Sequence, residues 1–119
     1  HYDRLSSLVY EQLCDALLVQ HYAKHHNIVD SGSFWDIHNE FDILAISRDK
    51  KVILGECKYK DRKVCKNELT KLKVKALESG INVDVYALFS KSGFSNELLQ
   101  TQDKDLLLFD LNDLEVLTS

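Results

Sequence analysis

The chain has no proline and no methionine, and only four glycines and one tryptophan among its 119 residues. Without proline nothing forces a helix to kink or confines a strand to an edge, and proline-rich or low-complexity linkers are excluded. Long apolar runs are missing too: no stretch approaches the ~20 residues that cross a bilayer, and no signal-peptide layout opens the sequence. Cys14, Cys57 and Cys65 are odd in number and form no CxxC pair. That is the pattern of free thiols in a reducing compartment rather than of a disulfide framework. These absences lead us to expect a soluble, cytoplasmic protein with no membrane partner. A GxxxxGK[ST] phosphate loop is absent as well, and a chain without Met is not a reading frame complete from its start codon. The expectation is one domain, residues 1–119, long enough to bury a real core and cut from a longer polypeptide.

Charge is present but segregated. The net charge of −4 argues against a nucleic-acid partner, yet Arg48 to Lys75 holds eleven basic residues against Asp49, Glu56, Asp61 and Glu68. That segment carries +7 and the remainder −11. Such separation fits one surface built for phosphates, with the acidic remainder turned away or facing a partner domain or a second copy. For Lys71, Lys73 and Lys75 alone the competing explanation is a solvated helix face.

Periodicity supplies the elements. Leu5, Leu8, Val9, Leu13, Ala16 and Leu17 recur at helical spacing and predict a helix over 3–26, with Asn27 as a left-handed stop. A strand follows over 28–37, bulged or bent at Ser31-Gly32-Ser33, and then a hairpin of strands 40–47 and 52–59 around the polar turn Arg48-Asp49-Lys50-Lys51. A helix over 67–79 stopped by Gly80, a strand over 83–90, a Ser95-capped helix through Gln102 and a strand over 106–111 complete the order, with a helical turn over 112–117. Helix and strand periods alternate without a repeat, which predicts an α/β sandwich around a mixed sheet.

Within that hairpin stand the residues with chemistry. Asp42 interrupts the apolar run Phe41 to Ile46, and Glu56-Cys57-Lys58 closes the run Val52 to Gly55. Charged groups inside core-forming strands are costly unless paired or given a cation or phosphate to hold. If the turn centres on Asp49, Asp42 and Glu56 lie seven residues to either side and face each other across the pair. Strict alternation then puts Asp42 with Leu44 and Ile46, and Glu56 with Leu54 and Lys58, on one face above one shared pocket. A divalent ion between the carboxylates converts their repulsion into attraction, and Mg²⁺ or Mn²⁺ takes one or two protein carboxylates while keeping open positions. The backbone carbonyl of Cys57 is a candidate further ligand, its side chain pointing to the opposite, core-facing side. Lys58 is a fixed cation suited to developing phosphoryl charge.

Trp35-Asp36, Glu40 to Ala45 and Gly55 to Lys60 resemble the PD-(D/E)XK nuclease superfamily, an Asp on one strand and Glu-x-Lys on the next. The likeness is closest to the C-terminal nuclease-like domain of archaeal and bacterial P-loop (AAA-type) ATPases, and it covers most of the chain. The resemblance implies the restriction-endonuclease-like αβββαβ core and an ATPase domain N-terminal in the same chain. It also implies Glu11, on the first helix, as a further metal ligand beside Asp42 and Glu56. Phe41 stands where the pattern has Pro.

Together these readings predict a Mg²⁺-dependent DNA endonuclease with Asp42, Glu56 and Lys58 catalytic, and with Lys60, Arg62, Lys63 and Lys71 contacting the nucleic acid. The alternatives are a catalytically silent module that docks DNA or regulates its ATPase, and an interaction module that pairs with the ATPase or a second copy. Three further features have simpler explanations beside the functional ones. His21, His25 and His26, with His38 and Cys14, have zinc-ligand chemistry, but histidines at a helix end also complement its dipole. Phe34 and Trp35 are either base-stacking or packing aromatics. Glu40 reads as a surface acid.

Overall fold

The computed structural model describes residues 2–23 and 27–113, in the order α1 (Tyr2–Tyr22), β1 (Ile28–Trp35), β2 (Glu40–Ser47), β3 (Val52–Lys58), α2 (Lys66–Glu78), β4 (Val85–Ser90), α3 (Asn96–Leu99) and β5 (Leu106–Asp110). The five strands form one sheet in sequence order. β1, β2 and β3 pair antiparallel, and β3, β4 and β5 pair parallel. The fold is therefore the expected α/β arrangement of a mixed sheet flanked by helices.

Two cores explain why β3 is apolar on both faces. Tyr10, Cys14, Leu17 and Leu18 of α1, one helical stripe, pack on Ile43, Ala45, Ile53, Ala87, Phe89 and Phe109. On the other face Leu69, Leu72 and Ala76 of α2 pack on Leu54 and Leu88, with Phe41, Phe94 and Leu98. A strand covered by helices on both sides reads as a continuous hydrophobic run, as Val52 to Leu54 does. The Cys57 side chain joins the α1 core, on the face opposite Glu56.

Helix ends follow local chemistry. Gly80, at φ 68°, closes α2 by donating to the Leu77 carbonyl while Ile81 donates to the Ala76 carbonyl. This double bond needs a left-handed residue, which glycine supplies without strain. The Ser95 hydroxyl accepts from Leu98 N and caps α3, which ends at Leu99 rather than at the expected Gln102. β1 stops at Trp35 because Asp36 captures the His38 and Asn39 amides in a tight turn. The expected helix end at 24–26 and the helical turn beyond 113 lie outside the described residues.

Gly55 sits directly across from Ile43. A Cβ there would stand 3.2 Å from Ile43 Cβ and 3.4 Å from the ring of Phe89, both fully buried. Gly55→Ala should therefore cost about 1–3 kcal/mol in urea denaturation. Gly32→Ala, with nothing within 4 Å of the added carbon, should stay within about 0.5 kcal/mol of wild type.

Candidate functional site

The β2–β3 ladder runs through Ile46–Val52, Ala45–Ile53 and Leu44–Leu54 and has its last rung at Ile43–Gly55. Continued by one residue, the same register sets Asp42 across from Glu56, but there the strands part. β2 keeps its pairing to β1 through Phe41 and Glu40, while β3 keeps its parallel pairing to β4 through Glu56, Cys57 and Lys58. An opening forms between two strands that are each still held on the far side. In it the Asp42 Oδ2 accepts a 2.8 Å hydrogen bond from Cys57 N. A strand residue turns its N–H and C=O toward the same neighbour, so the Cys57 carbonyl also faces the opening.

Strict alternation placed Asp42 with Leu44 and Ile46, and the structure corrects this. Pairing with β1 shifts register between Gly32 and Phe34, so Asp42 and Ile43 together oppose Ser33. The irregularity expected at Ser31-Gly32-Ser33 is thus an extra residue on β2, a bulge of the kind that re-aims side chains beside functional sites. Phe41 turns under α2, where it stacks on Phe34 at 6.2 Å. Asp42 instead lines a cavity of about 220 Å³ with Ile43, Ser33 and the α1 residues Glu11, Gln12 and Asp15. Glu56 lies on the α2 side with Lys58 and Lys75 and is not among the residues that line the Asp42 cavity, so the expectation of one face and one shared pocket for Asp42, Glu56 and Lys58 is corrected: the two acids stand on opposite faces of the sheet.

Glu56 is held by lysines. Lys58 Nζ lies 3.7 Å from its carboxylate and Lys75 Nζ 3.9 Å, while Lys58 also reaches Glu68 at 3.6 Å. Burial nonetheless pushes the Glu56 carboxyl above the usual range; Lys58 and Lys75 pull it down, and Asp42 and Glu68 push it up. Glu11 is raised as well, by burial first and then by Asp42. Asp42 thus acts on both Glu11 and Glu56, raising each.

Lys58, Lys60, Arg62, Lys63 and Glu68 line a separate crevice beside the end of β3. Lys71 stands outside it, 4.0 Å from Glu68. Sequence reasoning missed the part of Lys75, which donates to the Glu40 carbonyl at 2.6 Å and covers the Phe41 ring besides reaching Glu56. The spacing of Glu68, Lys71 and Lys75 along one helix face was the available signal. Glu40 itself is exposed, as expected.

Among the described residues no three His, Cys, Asp or Glu side chains are gathered as a metal-holding cluster. The oxygen donors at the opening still suit a hard cation, because Mg²⁺ uses one or two carboxylates and leaves its other positions to water. The carboxylates of Asp42 and Glu56 and the Cys57 carbonyl are oxygen donors of that kind, Asp42 with Glu11 on one face of the sheet and Glu56 on the other. The zinc alternative gathers no support among the described residues: Cys14 is wholly buried between α1 and the sheet, and His21 packs edge-on against Phe109. His25 and His26 lie outside the described residues. No described helix is long and apolar enough to cross a membrane.

No curated protein matches the sequence. Among solved structures, a repair endonuclease from Pyrococcus abyssi superposes with a TM-score of 0.53 at 16% identity, over 93% of this chain and 46% of that one. A protein of unknown function, AF1548, gives a TM-score of 0.49 at 17% identity, over 85% of this chain and 57% of the other. The chain thus spans about half the length of these structures. At such identity the first likeness shows the fold, and the fold is nuclease-like. The profile of a family described as archaeal and bacterial proteins of unknown function, DUF234, matches residues 1–75; that is more than half of the sequence, and the chain belongs to this family.

Proposed function

We propose that the domain is a Mg²⁺- or Mn²⁺-dependent endonuclease module that hydrolyses DNA phosphodiesters, attached in the intact protein to an N-terminal P-loop ATPase domain. The observation that supports this reading is the parting of β2 and β3 after Ile43–Gly55, where Asp42 accepts from Cys57 N, with Glu56 next on β3 and ion-paired to Lys58 on the other face. The name of the structural neighbour, a repair endonuclease, agrees with it. A bound ion would supply Lewis-acid stabilisation and a more acidic water. Asp42, Glu56 and the Cys57 carbonyl would hold it, with Glu11 completing the set. Lys58 supplies positive charge where a phosphoryl group becomes more negative. Lys60, Arg62 and Lys63, with Lys71 at the rim, keep the phosphate backbone against that end of the sheet.

A second reading is favoured by the ion pairs of Glu56 with Lys58 and Lys75, which neutralise the acid without a metal. In it the domain docks DNA or regulates the ATPase, or a second copy, and does not cut.

Cleavage of supercoiled, linear and branched DNA separates the two. Asp42→Asn should lose metal affinity and cleavage together. Lys58→Ala should keep metal and DNA binding while the rate falls about a hundredfold or more. If neither the domain nor the intact protein cuts any substrate, while wild type and Asp42→Asn bind DNA equally, the docking module stands. Charge reversal at Lys60, Arg62 and Lys63 should weaken DNA binding and flatten its salt dependence, by roughly one unit of slope for each phosphate that is no longer neutralised.

The raised Glu56 carboxyl gives a test of metal linkage. A group whose folded value exceeds its unfolded one stabilises fully below the ordinary value near 4.5, and that contribution is lost as pH rises through the folded value. Without divalent ions, wild type should therefore lose stability relative to Glu56→Gln as pH rises above that value. Mg²⁺ should restore wild type at neutral pH and leave Glu56→Gln little changed, as thermal melts would read.

A further inference from the structure

We propose that Cys14 and Cys57 are a redox-modification site, where a peroxide converts two thiols into a reversible disulfide that clasps α1 to β3. The proposal goes beyond the nuclease reading and does not depend on it. Cys14 is wholly buried on the sheet-facing stripe of α1, and Cys57 packs against the same core from β3. The two side chains approach each other from facing elements, and their thiols are in hydrogen-bonding contact. Tyr10 and Tyr59 pack beside them, with ring centroids 5.0 Å apart. Cys65 is exposed and precedes α2, on the other face of the sheet. A disulfide needs side chains that point at each other across a few ångströms. Thiols already in contact come close to that arrangement, and the fold brings them together from distant parts of the sequence.

Cys57 is the less buried of the two, so the oxidant reaches it first. Its sulfur attacks one oxygen of hydrogen peroxide, the O–O bond breaks, and a sulfenic acid and one water result. The Cys14 sulfur then displaces the hydroxyl, which forms the S–S bond and releases a second water. The two electrons that reduce the peroxide come from the two sulfurs, and both thiol protons leave in the waters. Burial makes the first step slow, and the waiting partner makes the second fast. In the reducing compartment that the sequence leads us to expect, such a bond forms under oxidant and is undone by thiols. While it lasts, it ties the helix that carries Glu11 to the strand that carries Glu56, at the residue whose amide Asp42 holds. Closing the long loop between the two elements restricts the opening of α1 from the sheet.

The intact protein is treated while folded with hydrogen peroxide, its remaining thiols are alkylated, and its peptides are mapped by mass spectrometry with and without a reducing agent. We expect a species that joins the Cys14 and Cys57 peptides, lighter than their sum by two hydrogens and absent after reduction. Oxidation should also slow hydrogen exchange of the α1 amides about tenfold or more, and reduction should restore it. Cys14→Ser should leave Cys57 as a sulfenic acid that dimedone traps, whereas Cys65→Ser should leave the cross-link unchanged. Oxidation of Cys65 while Cys14 and Cys57 stay free overturns the proposal, and so does a cross-link that appears only after denaturation. Unchanged α1 exchange in the cross-linked protein overturns the clasp.

Discussion

The carboxylate of Asp42 accepts a backbone amide that an uninterrupted β2–β3 ladder would give to a carbonyl, and the open end of the sheet depends on that substitution. Strands that part leave N–H groups without partners, and a part-buried orphan costs about as much as a lost hydrogen bond. An ionised acceptor satisfies Cys57 N more strongly than a carbonyl would. It also pins the acid where the strands separate. The opening stays local because β3 remains paired to β4 through Lys58–Ser90, and β2 to β1 through Phe41 and Glu40. Just inside it, Gly55 lets β2 and β3 approach closely at the last rung. Glycine, bulge and acid are three parts of one device.

Charge at the gap is balanced between two ways of being satisfied. Burial works against an ionised Glu56, and Lys58 and Lys75 offset it; Asp42 and Glu68 add to the repulsion. Buried acids kept beside lysines are weak sources of stability. Their presence at the end of an otherwise apolar sheet is the feature that the proposed ion and phosphate binding would account for. A dication entering the gap would take over the neutralisation that the lysines provide and release them toward a phosphate.

Much of this was legible in the sequence, because it depends on short-range pattern. The Gly80 stop and the turn around Asp49 follow from spacing and residue type, whereas the core face of α1 was misread: Leu8, Val9 and Ala16 of the expected stripe are exposed, and the helix packs through Tyr10, Cys14, Leu17 and Leu18. That turn fixed the register that places Asp42 one step past Ile43–Gly55 and across from Glu56. The face of Asp42 was not legible. Period-two reasoning assumes no extra residue, and the bulge inserts one on β2 opposite Ser33, whereas the glycine and serines drew attention to β1. Lys75 looked like a solvated helix position, since nothing local tells that α2 crosses the mouth of the gap. Trp35 and Phe34 were indistinguishable neighbours. Only the fold separates the one that stacks on Phe41 from the one left largely exposed.

The segregation of charge along the chain acquires a spatial meaning from the topology. β3, the loop after it and α2 are consecutive, so Lys58, Lys60, Arg62 and Lys63 gather at one end of the sheet without any long-range pairing, while Arg48, Lys50 and Lys51 of the same stretch sit in the β2–β3 turn at the other end. The acids come from separate elements: Glu11 from α1, Asp42 from β2 and Glu56 from β3. They converge only because those elements meet at the gap. The basic residues beside β3 thus come from one contiguous segment, while the acids are brought near one another only by the assembled fold. The two are joined at the Lys58–Glu56 ion pair, where the basic crevice and the acids share a strand. A change at Asp42 reaches the gap itself, because that residue both fills the open end and keeps the strands apart.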